Sequence, residues 1–268
     1  MIRGPVTALD PNGIILYRQG SGPPLVLLHC LGVDRRFWDF CRDLSDRYTL
    51  VTYDLPGHGA SVVPPGPYGV EDLSRQLADL LERHGVGRAH VAGISLGGLI
   101  AQHFAASRPD LVDHLVLIDT TPRYTDEMRA MWAERAATAR SAGVAALVEG
   151  LLKIWFTPGS VASDGAALRY VRAALEHSPG EGYALACEAL AAADLRPLAA
   201  TITAPTLVVC GDDDIPSFLD AARWLAANIA GARLAWIKDA RHASVLERPG
   251  QALSLLREFL AQGWPLGP

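Results

Sequence analysis

One serine stands between an apolar run and a helical pattern, with a glycine two residues away on each side. Residues 90–99 read HVAGISLGGL, so Ser95 lies between Gly93 and Gly97 in the pattern Gly-x-Ser-x-Gly. At a sharp strand–turn–helix connection, this pattern holds the serine hydroxyl clear of the backbone, where it can attack a carbonyl carbon. The alternative is that Ser95 only caps the helix and the glycines only form a tight turn. The strand-like run before the motif and the small residues after it favour the nucleophile.

A nucleophilic serine needs a base and an orienting acid, and in this type of motif both follow it in the chain, the acid first. Four histidines follow Ser95: His103, His114, His177 and His242. The first lies in the next helical pattern, the second at the start of a strand-like run, and the third in a helical region. His242 lies in KDARHASVLERP, between the last strand-like run and the last helical pattern. We predict His242 as the base, because a loop in this place can reach the serine.

Three adjacent carboxylates are candidates for the acid. They follow the penultimate strand-like run in VVCGDDDIPS, as Asp212, Asp213 and Asp214. Composition does not choose between them, and two of the three are expected to lie in a solvated turn. Asp119, at the end of the preceding strand-like run, is a further alternative.

Acyl transfer also requires two backbone N–H groups that stabilise the oxyanion of the tetrahedral intermediate. One is expected to be the amide of the residue after the nucleophile, Leu96. The other is expected in the loop after PLVLLHC, near Cys30 and Leu31. The alternative for HCLG is a simple tight turn.

Strand-like and helical patterns alternate along most of the chain. Apolar runs bounded by turn residues predict strands at 13–17, 24–30, 48–54, 90–93, 114–119, 205–211 and 233–237. Helical patterns fall at 35–46, 70–84, 95–107, 217–229 and 249–261, and the second ends at Gly85 as its C-cap. Several runs are continuously apolar, as in strands buried on both faces of a parallel sheet. The predicted fold class is therefore α/β, with a mostly parallel sheet flanked by helices.

One long segment interrupts this alternation. From about Pro122 to Arg196 the sequence is alanine-rich and helical, with no strand-like run. We expect residues 1–121 and 197–268 to form the core, and residues 122–196 to form an inserted helical cap, or lid.

Composition excludes several function classes. The 268 residues are 50% hydrophobic and 20% charged, which suits a globular core, and the net charge of -5 does not suit a nucleic-acid partner. The N-terminus lacks the apolar segment of a secretory signal, and no charge-free stretch is long enough for a membrane span. The four cysteines lack metal-ligand spacing. We therefore expect a reduced, cytoplasmic protein without metal, cofactor or membrane partner; its oligomeric state is not predicted.

Taken together, LVLLHCLG, YDLPGHGAS, GISLGG, GDDD and ARHASVLERP resemble the α/β-hydrolase superfamily over nearly the whole chain. Within it, PPGPYGVEDLSRQLADLLERHGV, IWFTP and GEGYALACEALAAADLRP are similar to the 3-oxoadipate enol-lactonases of aromatic catabolism. The resemblance implies an eight-stranded sheet, Asp214 as the acid and the Leu31 amide as the second oxyanion donor. The chain departs from the pattern at His29-Cys30, where many hydrolases have His-Gly and the lactonases have a polar Ser/Asn-rich stretch.

The implied reaction opens a lactone in two steps. His242, oriented by Asp214, takes the Ser95 proton during attack on the carbonyl, the Leu31 and Leu96 amides stabilise the oxyanion, and an enolate leaves. Water activated by the same histidine then hydrolyses the acyl-enzyme. The resemblance implies no cofactor and a small ester or lactone as substrate.

A substrate of this class carries a free carboxylate, for which a cation is expected nearby. The segment MRAMWAERAATAR offers Arg135 and Arg140, and the resemblance places similar arginines in the lactonases. The alternative is a solvated helix face. Trp132 and Trp155, as well as Trp38, are candidates for an apolar wall, although core packing would use the same residues.

Two other functions stay open at this point. One is a carboxylesterase or a carbon–carbon bond hydrolase that acts on another ring-cleavage product. The other is a receptor for a small ligand, with little turnover. The complete Ser/Asp/His set disfavours the receptor, because binding alone does not require it.

Overall fold

The computed structural model of the chain describes residues 6–9 and 13–261. Within these residues eight strands form one sheet, in the order β1-β2-β4-β3-β5-β6-β7-β8. The strands are Val6–Leu9 (β1), Ile15–Gln19 (β2), Pro24–Leu28 (β3), Thr49–Tyr53 (β4), Ala89–Ile94 (β5), Val112–Ile118 (β6), Thr206–Gly211 (β7) and Arg233–Ile237 (β8). The first two are antiparallel to their neighbours, and the other pairs are parallel. The predicted α/β class, with a mostly parallel eight-stranded sheet, is confirmed.

Helices connect the strands. They are Val70–Arg83 (α1), Leu96–Ser107 (α2), Asp126–Ala142 (α3), Val148–Trp155 (α4), Pro158–Ser163 (α5), Ala166–Glu176 (α6), Gly180–Ala192 (α7), Arg196–Ala199 (α8), Pro216–Asn228 (α9), Ser244–Glu247 (α10) and Pro249–Ala261 (α11). As predicted, α1 ends at a left-handed Gly85 (φ 62°), where the Val86 N–H donates to the Leu81 carbonyl at 2.8 Å. None of the described helices has the length and apolar character needed to span a bilayer.

The predicted helix at 35–46 takes a tighter form. Residues Arg35–Asp46 form a 3-10 helix whose backbone leaves the helical region at Cys41 (φ −104°, ψ 17°). There the thiol donates to the Trp38 carbonyl at 3.0 Å, three residues back. A spacing of three residues is typical of a 3-10 helix, whereas an α-helix joins residues four apart.

The centre of the sheet is its most buried part. Every residue of β5 and β7 is buried, as are nearly all of β3 and β6. These strands are the continuously apolar runs of the sequence, because helices cover both of their faces. Their carboxyl ends are in register, since Leu28 pairs with Gly93, Ile94 with Ile118, and Ile118 with Val209. The loops that follow these strands therefore meet at one edge.

The connection between β6 and β7 is helical, as predicted. It contains α3 to α8, and α3 packs along α7. Its two ends are tied together, because Arg123 and Asp194 form an isolated bridge and the Leu195 N–H donates to the Pro122 carbonyl at 2.8 Å. The division into a core and a cap of residues 122–196 stays a prediction.

Candidate active site

Ser95 lies at the turn between β5 and α2 in a strained conformation. Its φ is 52° and its ψ is −113°, a region that glycine occupies far more readily than other residues. A Cβ atom on Gly93 would lie 2.2 Å from the Gly97 carbonyl oxygen, and one on Gly97 would lie 2.2 Å from the Leu28 oxygen. Neither position has room for a side chain, because each glycine packs directly against backbone atoms. The Ser95 side chain forms no capping hydrogen bond with α2, so helix capping does not explain its hydroxyl.

The structure brings the predicted base and one predicted acid to this serine. Nε2 of His242 lies 3.1 Å from Ser95 Oγ, and Nδ1 lies 3.1 Å from Asp214 Oδ2. All three residues are about 95% buried, each with 5% of its surface exposed. Because the carboxylate can only accept at Nδ1, the imidazole proton lies there and the Nε2 lone pair faces the serine hydroxyl. This arrangement can remove the serine proton.

Burial and charge act against each other on the His242 imidazole. Burial lowers its pKa because it penalises the imidazolium, whereas the Asp214 carboxylate and its hydrogen bond raise it, and the net effect is a raised pKa. The Arg135 guanidinium acts in the opposite direction to the carboxylate. The site thus favours a base that holds its proton once it has taken it.

The three adjacent carboxylates have different surroundings. Asp212 forms an ion pair with Lys238 at 3.1 Å, and the exposed Asp213 forms one with Arg241 at 3.1 Å. Asp214 alone among them contacts the imidazole within the described residues, and its other oxygen accepts the next backbone N–H at 2.7 Å. Of the three carboxylates, Asp214 is therefore the one placed to orient the imidazole, and its role as the triad acid stays a proposal.

Asp119, the alternative acid, has another set of partners. Its Oδ1 accepts the Gly211 N–H at 2.9 Å, and its Oδ2 accepts the Ser244 hydroxyl at 2.6 Å and the Ser244 N–H at 3.3 Å. Burial raises the pKa of Asp119 to about 7, against the opposing charge of His242. It forms no hydrogen bond with the imidazole. Instead it joins the end of β7 to the loop after β8, the two segments that hold the acid and the base.

The predicted oxyanion donors lie on adjoining loops. The first turn of α2 packs against the backbone after β3, because Gly97 touches the carbonyls of Leu28 and His29. Neither the Leu31 N–H nor the Leu96 N–H donates to an acceptor within residues 13–261. An oxyanion requires two such unused donors, and the assignment of Leu31 and Leu96 to this role stays a prediction.

The unusual His29-Cys30 pair has a structural explanation. Nδ1 of His29 donates to the Cys30 carbonyl at 2.8 Å, while Nε2 accepts the Leu55 N–H at 2.9 Å. Burial lowers the pKa of His29 to about 4, so the ring stays neutral and can serve both partners. His29 thereby ties the oxyanion loop to the segment after β4. Sequence reasoning missed this role, for which the only signal was a histidine at the end of an apolar run.

Aromatic rings surround the imidazole. The Phe218 ring lies 4.3 Å from the His242 ring and the Trp155 ring 6.1 Å, between centroids. Tyr124 is buried beside Ser95. Burial raises the pKa of Tyr124, and the nearby Ser95 hydroxyl partly opposes this rise. Trp132 packs edge-on against Tyr124 at 5.3 Å. Phe218 and Tyr124 were missed, because nothing in their local sequence separates them from core aromatics.

The two candidate arginines of α3 lie in different environments. Arg135 is half-buried, with its guanidinium 4.9 Å from the Trp132 ring centre, and has no carboxylate partner within the described part of the chain. Arg140 is exposed and bound to Glu181 and Glu188 of α7. Two carboxylates thus already neutralise Arg140, which disfavours it as the substrate cation, and its role in substrate binding stays a prediction.

Trp38 is likewise not part of the aromatic surroundings of the triad. Its ring packs against Phe37 and Phe40, at 5.8 and 5.9 Å between centroids. Of the three tryptophans considered, the structure thus brings Trp132 and Trp155 to the site.

The chain is similar in sequence and in structure to known hydrolases. The sequence model of the alpha/beta hydrolase fold family matches residues 23–249. The chain is 30% identical over 234 residues to 3-oxoadipate enol-lactonase 2 of Acinetobacter baylyi, covering 87% of this chain and 86% of that protein. It is 35% identical over 251 residues to a pimeloyl-[acyl-carrier protein] methyl ester esterase of Chromobacterium violaceum, covering 90% and 95%. The crystal structure of the enol-lactonase from Burkholderia xenovorans LB400 superposes with a TM-score of 0.89 at 34% identity, covering 96% and 100%.

Proposed function

Since this chain belongs to the alpha/beta hydrolase family, we propose that it is a serine hydrolase that opens a small carboxylated enol-lactone through an acyl-enzyme. The specific substrate proposed is 3-oxoadipate enol-lactone, which gives 3-oxoadipate. Similarity to enol-lactonases supports this choice, at 30% and 34% identity. The four cysteines are free and buried, which supports the further proposal of a reducing, cytoplasmic setting.

The first step uses the buried triad. His242 takes the proton of Ser95 as its oxygen attacks the lactone carbonyl, and Asp214 stabilises the resulting imidazolium. The Leu31 and Leu96 amides hold the oxyanion of the tetrahedral intermediate. Collapse of that intermediate breaks the ring C–O bond and forms an enolate, which takes the imidazolium proton on oxygen to give an enol or on carbon to give a ketone, so that His242 is neutral again. Because the substrate is a ring, this group stays attached to the acyl chain that is esterified to Ser95.

The second step returns the enzyme to its starting state. Water loses a proton to the neutral His242 and attacks the ester carbon. The same two amides stabilise the second oxyanion. When it collapses, the imidazolium returns its proton to Ser95, and the product leaves with a new carboxylate.

One observation carries the choice of a carboxylated substrate, namely an unpaired cation beside the triad. Arg135 is half-buried, lacks a carboxylate partner among the described residues, and acts electrostatically on His242. Arg140, on the same helix, forms ion pairs with two glutamates, so the arginines of this helix do not in general lack carboxylate partners. A substrate carboxylate would neutralise Arg135, and the Trp132 and Tyr124 rings would exclude water from the pair.

The test is hydrolysis of 3-oxoadipate enol-lactone, followed by loss of its ultraviolet absorbance. Ser95→Ala should lower kcat by roughly 10⁴- to 10⁶-fold, as loss of a nucleophile does. Arg135→Gln should raise KM by about 10- to 100-fold, the value of a charge-assisted hydrogen bond of about 1.5–3 kcal/mol. Arg140→Gln is the matched control on the same helix and should stay near wild type. Equal KM values for Arg135→Gln and Arg140→Gln would contradict the assignment of the carboxylate site.

A carboxylesterase is the second candidate, favoured by the 35% identity to a methyl ester esterase. The same triad and the same cation would serve a methyl ester that carries a distal carboxylate. Turnover of such an ester by wild type, without turnover of the enol-lactone, would establish this alternative. Failure of a fluorophosphonate to label Ser95 would instead exclude both hydrolases and revive a binding role.

A further inference from the structure

A β-bulge lies at the opposite end of the sheet from the triad. Ala89 pairs with Val112 and Val91 pairs with Leu115, so that His90 alone faces two residues of β6. These two residues are Asp113 and His114. Because side chains alternate along a strand, the extra residue turns both of them to the face that His90 occupies. The bulge thus collects three metal-binding side-chain types on one face.

The possible ligand atoms of this cluster converge. Asp113 Oδ2 lies 3.5 Å from Nδ1 of His90 and 3.5 Å from Nδ1 of His114, and one ligand atom from each residue lies within 4.8 Å of the other two. A nitrogen–oxygen distance of 3.5 Å is longer than a normal hydrogen bond. It is close to the edge of a tetrahedron with metal–ligand bonds of about 2.0–2.1 Å, which is roughly 3.4 Å. Nδ1 of His90 is buried and has no hydrogen-bond partner within the described residues.

We propose that His90, Asp113 and His114 form a zinc-binding site, with water as the fourth ligand. Two imidazoles and one carboxylate are ligands that Zn²⁺ accepts in a tetrahedral arrangement. The Asp113 side chain is 37% exposed, which gives the ion a route from solvent.

Surrounding groups hold the three ligands in place. Arg88 binds the other oxygen of Asp113 at 3.0 Å and leaves Oδ2 to the imidazoles. The His90 ring packs edge-on against Tyr48 at 5.5 Å, and the His114 ring packs against Phe259 at 5.3 Å. Partners that orient metal ligands in this way raise the affinity of a site, because less ordering remains to be done on binding.

This site is distinct from the hydrolase site. His90 is near the start of β5 and Ser95 follows its end, so that about 16 Å of strand separate them. A metal ion here would join β5 to β6 at their amino ends and stabilise the folded chain. It would take no part in ester hydrolysis.

The experiment is a Zn²⁺ titration of the whole chain after removal of metal with a chelator. Bound zinc is measured by competition with a chromophoric chelator, and Co²⁺ replaces Zn²⁺ to report coordination by its visible absorption. We expect one ion per chain, tetrahedral Co²⁺ absorption, and a melting temperature that rises with zinc. His90→Gln and Asp113→Asn should each weaken zinc binding by about 100-fold or more. Loss of a residue that only orients a ligand already costs up to about 100-fold in metal affinity, and loss of a ligand should cost at least as much.

His103→Gln is the control, because it removes a half-buried histidine outside the cluster. It should keep full affinity. If His90→Gln does not fold, the half-exposed Asp113→Asn carries the test. Absence of stoichiometric zinc binding by the wild type would overturn the proposal. So would binding that His90→Gln and Asp113→Asn both retain, because the ion would then lie elsewhere.

Discussion

The backbone strain at Ser95 makes an unusual prediction about stability. At most positions outside left-handed turns, glycine destabilises a protein relative to alanine. Ser95 has φ 52° and ψ −113°, where a Cβ atom is disfavoured. Ser95→Gly and Ser95→Ala both remove the hydroxyl and its contact with His242. They differ only in the Cβ atom, so we expect the glycine variant to be the more stable of the two.

The strain can be separated from ordinary effects of glycine at a helix start. Thr125 begins α3 with an ordinary φ of −64°, is exposed, and caps the helix by accepting the Met128 N–H. Glycine is also preferred over alanine at such a position, by roughly 1 kcal/mol. At each position, the free energy of unfolding of the glycine variant minus that of the alanine variant measures the preference for glycine. This preference should be larger at Ser95 than at Thr125 by about 1–3 kcal/mol, the cost of a strained backbone conformation. This excess corresponds to about 2–12 °C in Tm for a chain of this size.

The assay is urea denaturation of the four variants, with the free energy of unfolding extrapolated to zero denaturant. Both Ser95 variants should be inactive, so that the gain in stability accompanies the loss of the nucleophile. If the two glycine-over-alanine differences are equal, the Ser95 backbone is not strained. If Ser95→Ala is the more stable variant, the stated φ and ψ are wrong for the protein in solution.

Three further results are expected. Because the pKa of His242 is raised, kcat/KM should fall on the acid side of its pH profile at a pH above the ordinary histidine pKa, as the imidazole becomes protonated. Asp214→Asn should move this fall to lower pH and reduce kcat by about 10⁴-fold. Asp119→Asn should lower the free energy of unfolding by about 1–3 kcal/mol in urea denaturation, because an amide has one acceptor oxygen and its NH2 cannot accept, so the donors of Gly211 and Ser244 cannot all be satisfied. The four buried cysteines should react with a chromogenic disulfide only as fast as the chain unfolds, and fast reaction of the native protein would contradict their burial.

Local patterns in the sequence were sufficient for seven of the eight described strands and for two residues of the triad, whereas β1 (Val6–Leu9) was missed. A buried strand needs an unbroken apolar run, and a sharp turn into a helix needs glycines around the nucleophile, so both leave a signal within a few residues. Ser95 and His242 followed from that turn and from the position of the last loop. Asp214 was reached only through the resemblance. Its neighbours Asp212 and Asp213 have the same chemistry, and only the conformation of the loop turns one carboxylate to the imidazole.

Other features depend on contacts between segments far apart in the chain. Arg135 and Arg140 are five residues apart on one helix, hence rotated by about 140°, and the packing of α3 on α7 decides which of them meets Glu181 and Glu188. The same holds for Asp119, whose partners lie more than 90 residues away. The sequence determined the kind of chemistry and the order of the elements, because these are written in local residue types. Tertiary structure alone decided which of several equivalent charged groups face the triad, because that choice rests on packing between distant segments.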